Sequence, residues 1–161
     1  MTRALLAAAC ATCLGACAAG PRFARFEPAR GPKGVRVEAT VTKSSAPRAW
    51  TEVTGELLEV RAEGLLVLGT LAQVRQEGKK QVPMQSSDGK TRLVLVAFAR
   101  IEAARFDGMG KRCDLRDGAP PTDEVRERLR LVSRFPQGLS PELQRRLLEI
   151  HGEAEIQRLG P

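Results

Sequence analysis

The sequence is poor in the residues from which most catalytic and metal sites are built. One histidine, four cysteines and no tyrosine are present among 161 residues, and aromatic residues make up 4% of the chain. A zinc site usually takes four ligands from His, Cys and carboxylate side chains, and the sequence holds no cluster of them. Gly108-Met109-Gly110-Lys111 is too short for a phosphate loop and lacks the Ser or Thr after the lysine. We therefore expect a protein that is not an enzyme and holds no metal.

Composition excludes two further classes of protein. Hydrophobic residues make up 42% and charged residues 28%, with a formal net charge of +7. This charge is too high for a protein with many membrane spans, and the apolar content is too high for disorder of the whole chain. The length fits one small domain with additional segments.

The first segment, residues 1–16, has the pattern of an export signal. Arg3 supplies a positive charge, and an uncharged run that contains three leucines extends from Ala4 to Ala16. That run is too short to cross a bilayer as a helix, which needs about 20 residues. It matches the apolar core of a signal peptide.

The end of this run, Leu14-Gly15-Ala16-Cys17, resembles the lipobox of bacterial lipoproteins. The pattern is an aliphatic residue, two small residues that can enter a protease cleft, and a cysteine whose thiolate accepts a lipid. The resemblance covers about the first twenty residues. It implies cleavage before Cys17, a diacylglycerol thioether on its sulfur and an acyl chain such as palmitate on the new amino group, with no other cofactor.

A lipoprotein of this kind belongs to the cell envelope, with its folded part in the periplasm. Ala18 follows the cysteine, and the absence of an aspartate there favours the outer membrane over the inner one. Simple secretion and a chain that is not exported are the alternatives.

Cleavage and lipidation leave Cys113 as the one free thiol, so no intramolecular disulfide is expected. We expect a partly buried small side chain there, with a reactive thiol as the alternative. A catalytic role would require Cys113 to meet His151, with Asp114 or Glu149 to orient the imidazole. No local signature supports that arrangement.

Residues 17–34 are expected to form a basic linker behind the anchor. Proline, glycine and alanine are frequent, and no apolar period indicates a helix. Basic and aromatic side chains next to a lipid fit contact with anionic headgroups, and the candidates are Arg22, Phe23, Arg25, Phe26, Arg30 and Lys33. A merely solvated linker is the alternative.

The charge of the mature chain indicates which partners to expect. Without residues 1–16 it keeps 25 basic and 19 acidic side chains, a net charge of +6. An anionic envelope component or another envelope protein is therefore expected as a partner besides the membrane. Nucleic acid is disfavoured because few aromatic side chains offer stacking platforms. Oligomeric state is open.

Short strands are predicted between Val35 and Phe106. Further strand patterns occupy residues 50–61, 65–76, 93–98 and 101–106. At the start of the region, apolar residues alternate with polar ones: Val35, Val37, Ala39 and Val41. Gly55 is expected to mark a bulge or a sharp bend, and the segment with Pro83 is at best an edge strand.

The order of these patterns over residues 35–106 resembles the small barrels of the SH3-like and Sm-like families. The features are a strand with an internal glycine, a tight Glu63-Gly64 turn, an apolar strand, a variable loop and a last strong strand pattern. The resemblance implies a strongly bent, five-stranded antiparallel sheet, and an open meander is the alternative. The sequence does not contain the characteristic RNA-binding residues of the Sm family, so RNA binding is not expected from the resemblance. If residues 1–16 are not a signal, the alternative is a cytoplasmic, Sm-like barrel that binds nucleic acid.

A connector, residues 107–121, leads to a helical hairpin at 122–159. Thr122 and Ser140 are N-cap candidates, and Pro141 fits the first turn of the second helix. The fold class is therefore α+β. We expect the hairpin's arginines to form a solvated face, with an anionic partner as the alternative: Arg126, Arg128, Arg130, Arg134, Arg145 and Arg146.

Overall fold

A computed structural model of the chain describes residues 33–42, 49–77, 80–85 and 89–159. The fold is α+β, as predicted, with two helices and a mostly antiparallel sheet. The strands of the described residues are β1 (Arg36–Thr42), β2 (Ala49–Val60), β3 (Gly64–Glu77), β4 (Lys80–Gln85), β5 (Arg92–Ala97), β6 (Ile101–Phe106), β7 (Leu115–Arg116) and β8 (Gln157–Leu159). The helices are α1 (Asp123–Val132) and α2 (Pro141–His151).

The strands are ordered β7-β6-β1-β2-β3-β5-β8, and β4 pairs with the far end of β3. All pairs are antiparallel except β5 with β8, which run parallel. Since β7 and β8 end the order without pairing with each other, the sheet is not closed. The closed small barrel predicted for residues 35–106 is therefore not confirmed.

Two hydrophobic clusters lie on opposite faces of this sheet. Successive side chains of a strand point to opposite faces, and β3 sends Leu65 and Val67 into one cluster and Leu66 into the other. We call the larger one the inner cluster; it contains residues of β1, β2, β3, β5 and β6 together with Leu129 of α1. The outer cluster contains Leu58, Leu66, Leu93 and Leu95 together with Leu148 of α2.

Two consecutive leucines of β2 enter different clusters by the same alternation, Leu57 the inner one and Leu58 the outer one. At this point the pairing with β3 also shifts register, between Leu57 and Glu59. The sequence placed this irregularity at Gly55, two residues too early. Gly55 instead pairs with Gly69 where the two backbones approach so closely that a Cβ on either would lie less than 3.0 Å from the opposing backbone.

Both helices begin at the predicted caps. The Thr122 hydroxyl accepts a hydrogen bond from the Val125 amide (3.4 Å), and the Ser140 hydroxyl accepts one from the Leu143 amide (3.3 Å). Such side-chain acceptors satisfy amides that the first helical turn leaves unpaired. Gly152 ends α2 in the left-handed conformation (φ 67°) that glycine adopts without strain.

The C-terminal part of the chain wraps around the sheet, because its two helices pack against different faces. After α1 the backbone passes β2 at the register shift, where the Arg134 and Phe135 amides donate to the Leu57 and Leu58 carbonyls (3.0 and 2.9 Å). It then crosses the outer cluster as α2 and reaches β5 as β8. The helices predicted as a hairpin therefore hold the sheet between them.

Candidate binding face

Most of the predicted site residues lie outside the described residues. These are Cys17 and five of the six expected headgroup contacts: Arg22, Phe23, Arg25, Phe26 and Arg30. The sixth, Lys33, is the first described residue, and it is exposed. Lipidation and headgroup contact therefore stay predictions.

Cys113 and His151 are not brought together. Cys113 is buried in a 3-10 turn, Lys111–Cys113, that contacts α1, and α1 packs against the inner cluster. His151 is the last residue of α2, which packs against the outer cluster. The expectation of a buried small side chain at Cys113 is met, and the pair on which the catalytic alternative depends is not assembled.

The arginines of α1 are largely engaged within the fold. Arg128 pairs with Glu124 and Arg130 with Glu127, both at 2.7 Å, and the Arg126 guanidinium lies 5.4 Å from the centre of the Phe98 ring. The hydrogen bond from Arg130 lowers the pKa of the exposed Glu127 carboxyl, and the same bond raises the pKa of Arg130. Because these arginines already have partners within the chain, the contacts favour a solvated helix face over a site for an anionic partner.

A different surface has the properties of a binding site. The outer face of the sheet is covered by α2 only over β3, β5 and the end of β2. Over β6, β1 and the start of β2 the outward side chains remain at least partly exposed. We call this surface the open face, and its residues are Arg36, Glu38, Thr40, Trp50, Glu52, Thr54, Glu56, Ala103 and Arg105.

Register places these side chains in two rows across the strands. Glu38 of β1 lies opposite Arg105 on one side and Thr54 on the other. Thr40 likewise lies between Ala103 and Glu52. Side chains directly opposite each other in an antiparallel pair are about 5 Å apart at Cβ, so carboxylates, hydroxyls and a guanidinium are within reach of one ligand.

A shallow depression occupies the middle of the open face. Its lining includes Glu38, Glu52 and Arg105 together with the shorter Thr40, Thr54 and Ala103. A second depression shares Thr54 with the first and is also lined by Lys33, Arg36 and Glu56. We call these two adjoining depressions over β1 and β2 the groove.

Hydrogen bonds orient the carboxylates that line this groove. Trp50 Nε1 donates to Glu52 Oε1 (3.1 Å), and Arg36 Nη2 pairs with Glu38 Oε1 (3.3 Å). Glu56 accepts from the Gly34 amide (2.6 Å) and from Arg134 Nη1 (3.4 Å). The partner of Glu52 in this bond is the neutral indole N–H.

Sequence reasoning missed Glu38, Glu52 and Arg105 as site residues. Glu38 and Glu52 are polar residues that alternate with buried ones in β1 and β2, and this pattern by itself indicates only that they face solvent. What the sequence did not show is that α2 leaves this part of the face uncovered. That depends on the path of residues 133–135 around β2.

The open face carries the groups that recognise ligands by hydrogen bonds. Its side chains offer acceptors, donors and one aromatic ring, with no thiol or imidazole. Within the described part of the chain, no group of three or more His, Cys, Asp and Glu side chains is placed to hold a metal ion. In the same residues, neither helix has the length and apolarity needed to span a membrane.

Comparison of the chain with protein-family models, with curated proteins and with solved structures gave no match.

Proposed function

We propose that this chain is a lipoprotein of the cell envelope whose folded part is a non-catalytic binding or scaffolding module. The observation that carries the anchor is the Leu14-Gly15-Ala16-Cys17 pattern behind an apolar run of signal-peptide length. Sixteen positions separate Cys17 from Lys33. An extended chain of that length spans about 50 Å, which leaves room between a membrane surface and the fold.

The distribution of charge supports a tether, rather than the folded part, as the membrane contact. The described residues carry 19 basic and 17 acidic side chains, a net charge of +2 spread over 116 residues. Residues 17–32, behind the proposed lipid site, carry the same net charge of +2 within 16 residues, from Arg22, Arg25 and Arg30 against Glu27. Such residues each add roughly 1 kcal/mol of attraction to an anionic surface.

The open face supports a binding role for the folded part. Its exposed strand residues surround a depression, and hydrogen bonds from Trp50 and Arg36 hold two of its carboxylates, Glu52 and Glu38. A periplasmic location, with the outer membrane favoured, follows from the lipobox proposal.

The finer architecture is also a proposal. The five strands β6-β1-β2-β3-β5 are consecutive in the sheet and all contribute to the inner cluster. This arrangement supports the resemblance to a strongly bent, five-stranded SH3-like or Sm-like unit. In this interpretation β7, β8 and the two helices are additions to that unit.

The anchor is tested by the intact mass of the protein from the membrane fraction of its native host. We expect a chain that begins at Cys17 and carries added acyl mass. A Cys17→Ser variant should lose the acyl mass and leave the membrane, whereas Cys113→Ser is the matched control and should keep both. An unprocessed, unlipidated chain would overturn the proposal.

A further inference from the structure

We propose that the open face binds an uncharged glycan chain along the groove beside β1 and β2. This inference names the ligand class of the proposed binding module and rests on that function. It is carried by four properties of the described residues: the protected sheet edges, the polar lining of the groove, its balanced charge, and the position of Trp50.

The sheet edges offer little to an added strand. A free edge binds a partner strand through unpaired backbone groups, and proteins block this with short strands, prolines and charges. Among the described strands, β4 carries Pro83, β7 has two residues, and β8 has three with the exposed Arg158 at its centre. Recognition by a face therefore has more support than recognition by an edge.

The lining of the groove does not resemble the centre of a protein interface. Such centres are depleted in charge and rich in aromatic and other apolar side chains. The described open face has Trp50 as its one large apolar side chain, amid glutamates, arginines and threonines. A ligand with many hydroxyl groups matches this surface better than a dry protein contact.

The charges of the depression disfavour a strongly charged ligand of either sign. Glu38 and Glu52 would repel a phosphate or a sulfated sugar, and Arg105, with Arg36 beside Glu38, opposes a cationic peptide. A sugar hydroxyl both donates and accepts. It can donate to the carboxylate oxygens and accept from the guanidinium and the threonine hydroxyls.

Trp50 adds an apolar surface beside these polar groups. The ring is half-buried, and its Nε1 donates to Glu52, which fixes the ring and the carboxylate relative to each other. The C–H face of a pyranose packs on an indole face while its hydroxyls reach neighbouring polar groups. The polar atom of the indole is already paired, so a glycan needs to supply no partner for it.

The test uses the chain's single tryptophan, Trp50, as the reporter. The full-length chain is titrated with chitotetraose, with cellotetraose, with a sulfated heparin tetrasaccharide and with an octa-arginine peptide. We expect saturable changes in Trp50 emission with a neutral tetrasaccharide, little affected by salt. Glu52→Gln and Arg105→Ala should each weaken binding about tenfold, since the first replaces a charged acceptor by a weaker neutral one and the second removes a charged donor.

Glu149→Gln, on the exposed side of α2, is the matched control and should bind as the native chain does. Heat-induced unfolding of each variant separates loss of binding from loss of fold. Three results would overturn the proposal: no binding of either neutral sugar, neutral-sugar binding that Glu52→Gln and Arg105→Ala leave unchanged, or salt-sensitive binding of the sulfated sugar or the arginine peptide alone. The readout is independent of the lipid, so its failure is distinguishable from failure of the anchor.

Discussion

The outer face of the sheet has two halves with opposite chemistry, and one strand contributes to both. Over β3 and β5 the outward residues are leucines under α2, such as Leu66 and Leu95. Over β6 and β1 they are charged, hydroxyl-bearing or small. The strand β2 presents Glu52 and Glu56 to the open half, and by the same alternation it presents Leu58 to the covered half.

The boundary between the halves lies where residues 134 and 135 cross β2. Beside the register shift, the Arg134 and Phe135 amides donate to the Leu57 and Leu58 carbonyls as the chain moves to the outer face. Buried backbone carbonyls need such partners. The position of α2, and with it the extent of the open face, follows from this crossing.

Truncation of a leucine in the covered half should have the largest effect. Leu66 is fully buried between β3 and α2, so Leu66→Ala should lower the free energy of unfolding by about 2–5 kcal/mol through lost burial and a cavity. Thr54→Ala in the open half should change it by about 0.5 kcal/mol or less. Urea unfolding measures both. Similar costs for the two variants would show that the halves do not differ in packing.

A methyl group at the Gly55–Gly69 pair should have the next largest effect. A Cβ on Gly69 would lie less than 3.0 Å from the Thr54 carbonyl oxygen and the Gly55 Cα, which are backbone atoms that cannot move aside alone. We expect Gly69→Ala to lower the free energy of unfolding by about 1–3 kcal/mol, a typical cost of overpacking.

The control for this variant is Ala72→Ser, on the same strand and half-buried, which should fold almost as the native chain does. Since Gly55 and Gly69 join β2 to β3 beside the groove, Gly69→Ala should also disturb Trp50 emission. Native stability of Gly69→Ala in urea would contradict the close approach of the two strands.

These features differ in how far the sequence predicted them. Alternation in β1, the apolar run of β5, the edge strand around Pro83 and both helix caps are local patterns, and each was predicted. The placement of the helices on opposite faces depends on contacts between residues far apart in sequence, such as Arg134 with Leu57. Local periodicity carries no record of such contacts.

The short strand β8 illustrates the same limit. Gln157–Leu159 was assigned to the predicted hairpin, yet it pairs in parallel with β5. Three residues are too few to show a strand period, and pairing with an already formed edge decides their conformation. The groove was missed for a related reason: Glu38, Thr54 and Arg105 come from three strands, and only the register brings them together.

The smallest expected effect concerns the exposed ion pair between Glu127 and Arg130 on α1. The hydrogen bond from Arg130 lowers the pKa of Glu127 from its ordinary value of 4.5. A carboxyl with a lowered pKa in the fold contributes stability above its unfolded pKa, and this contribution is lost as pH falls through the folded pKa.

Glu127→Gln should therefore cost a little stability at pH 7 and nothing at pH 2, and the difference should shrink in high salt because exposed pairs are screened. Urea midpoints of the two proteins at both pH values measure this, with Glu155→Gln, which is exposed and outside the helices, as the control. A salt-independent loss at pH 7 as large as that of Leu66→Ala would mean that polar contacts on exposed faces hold this fold as firmly as its leucines do.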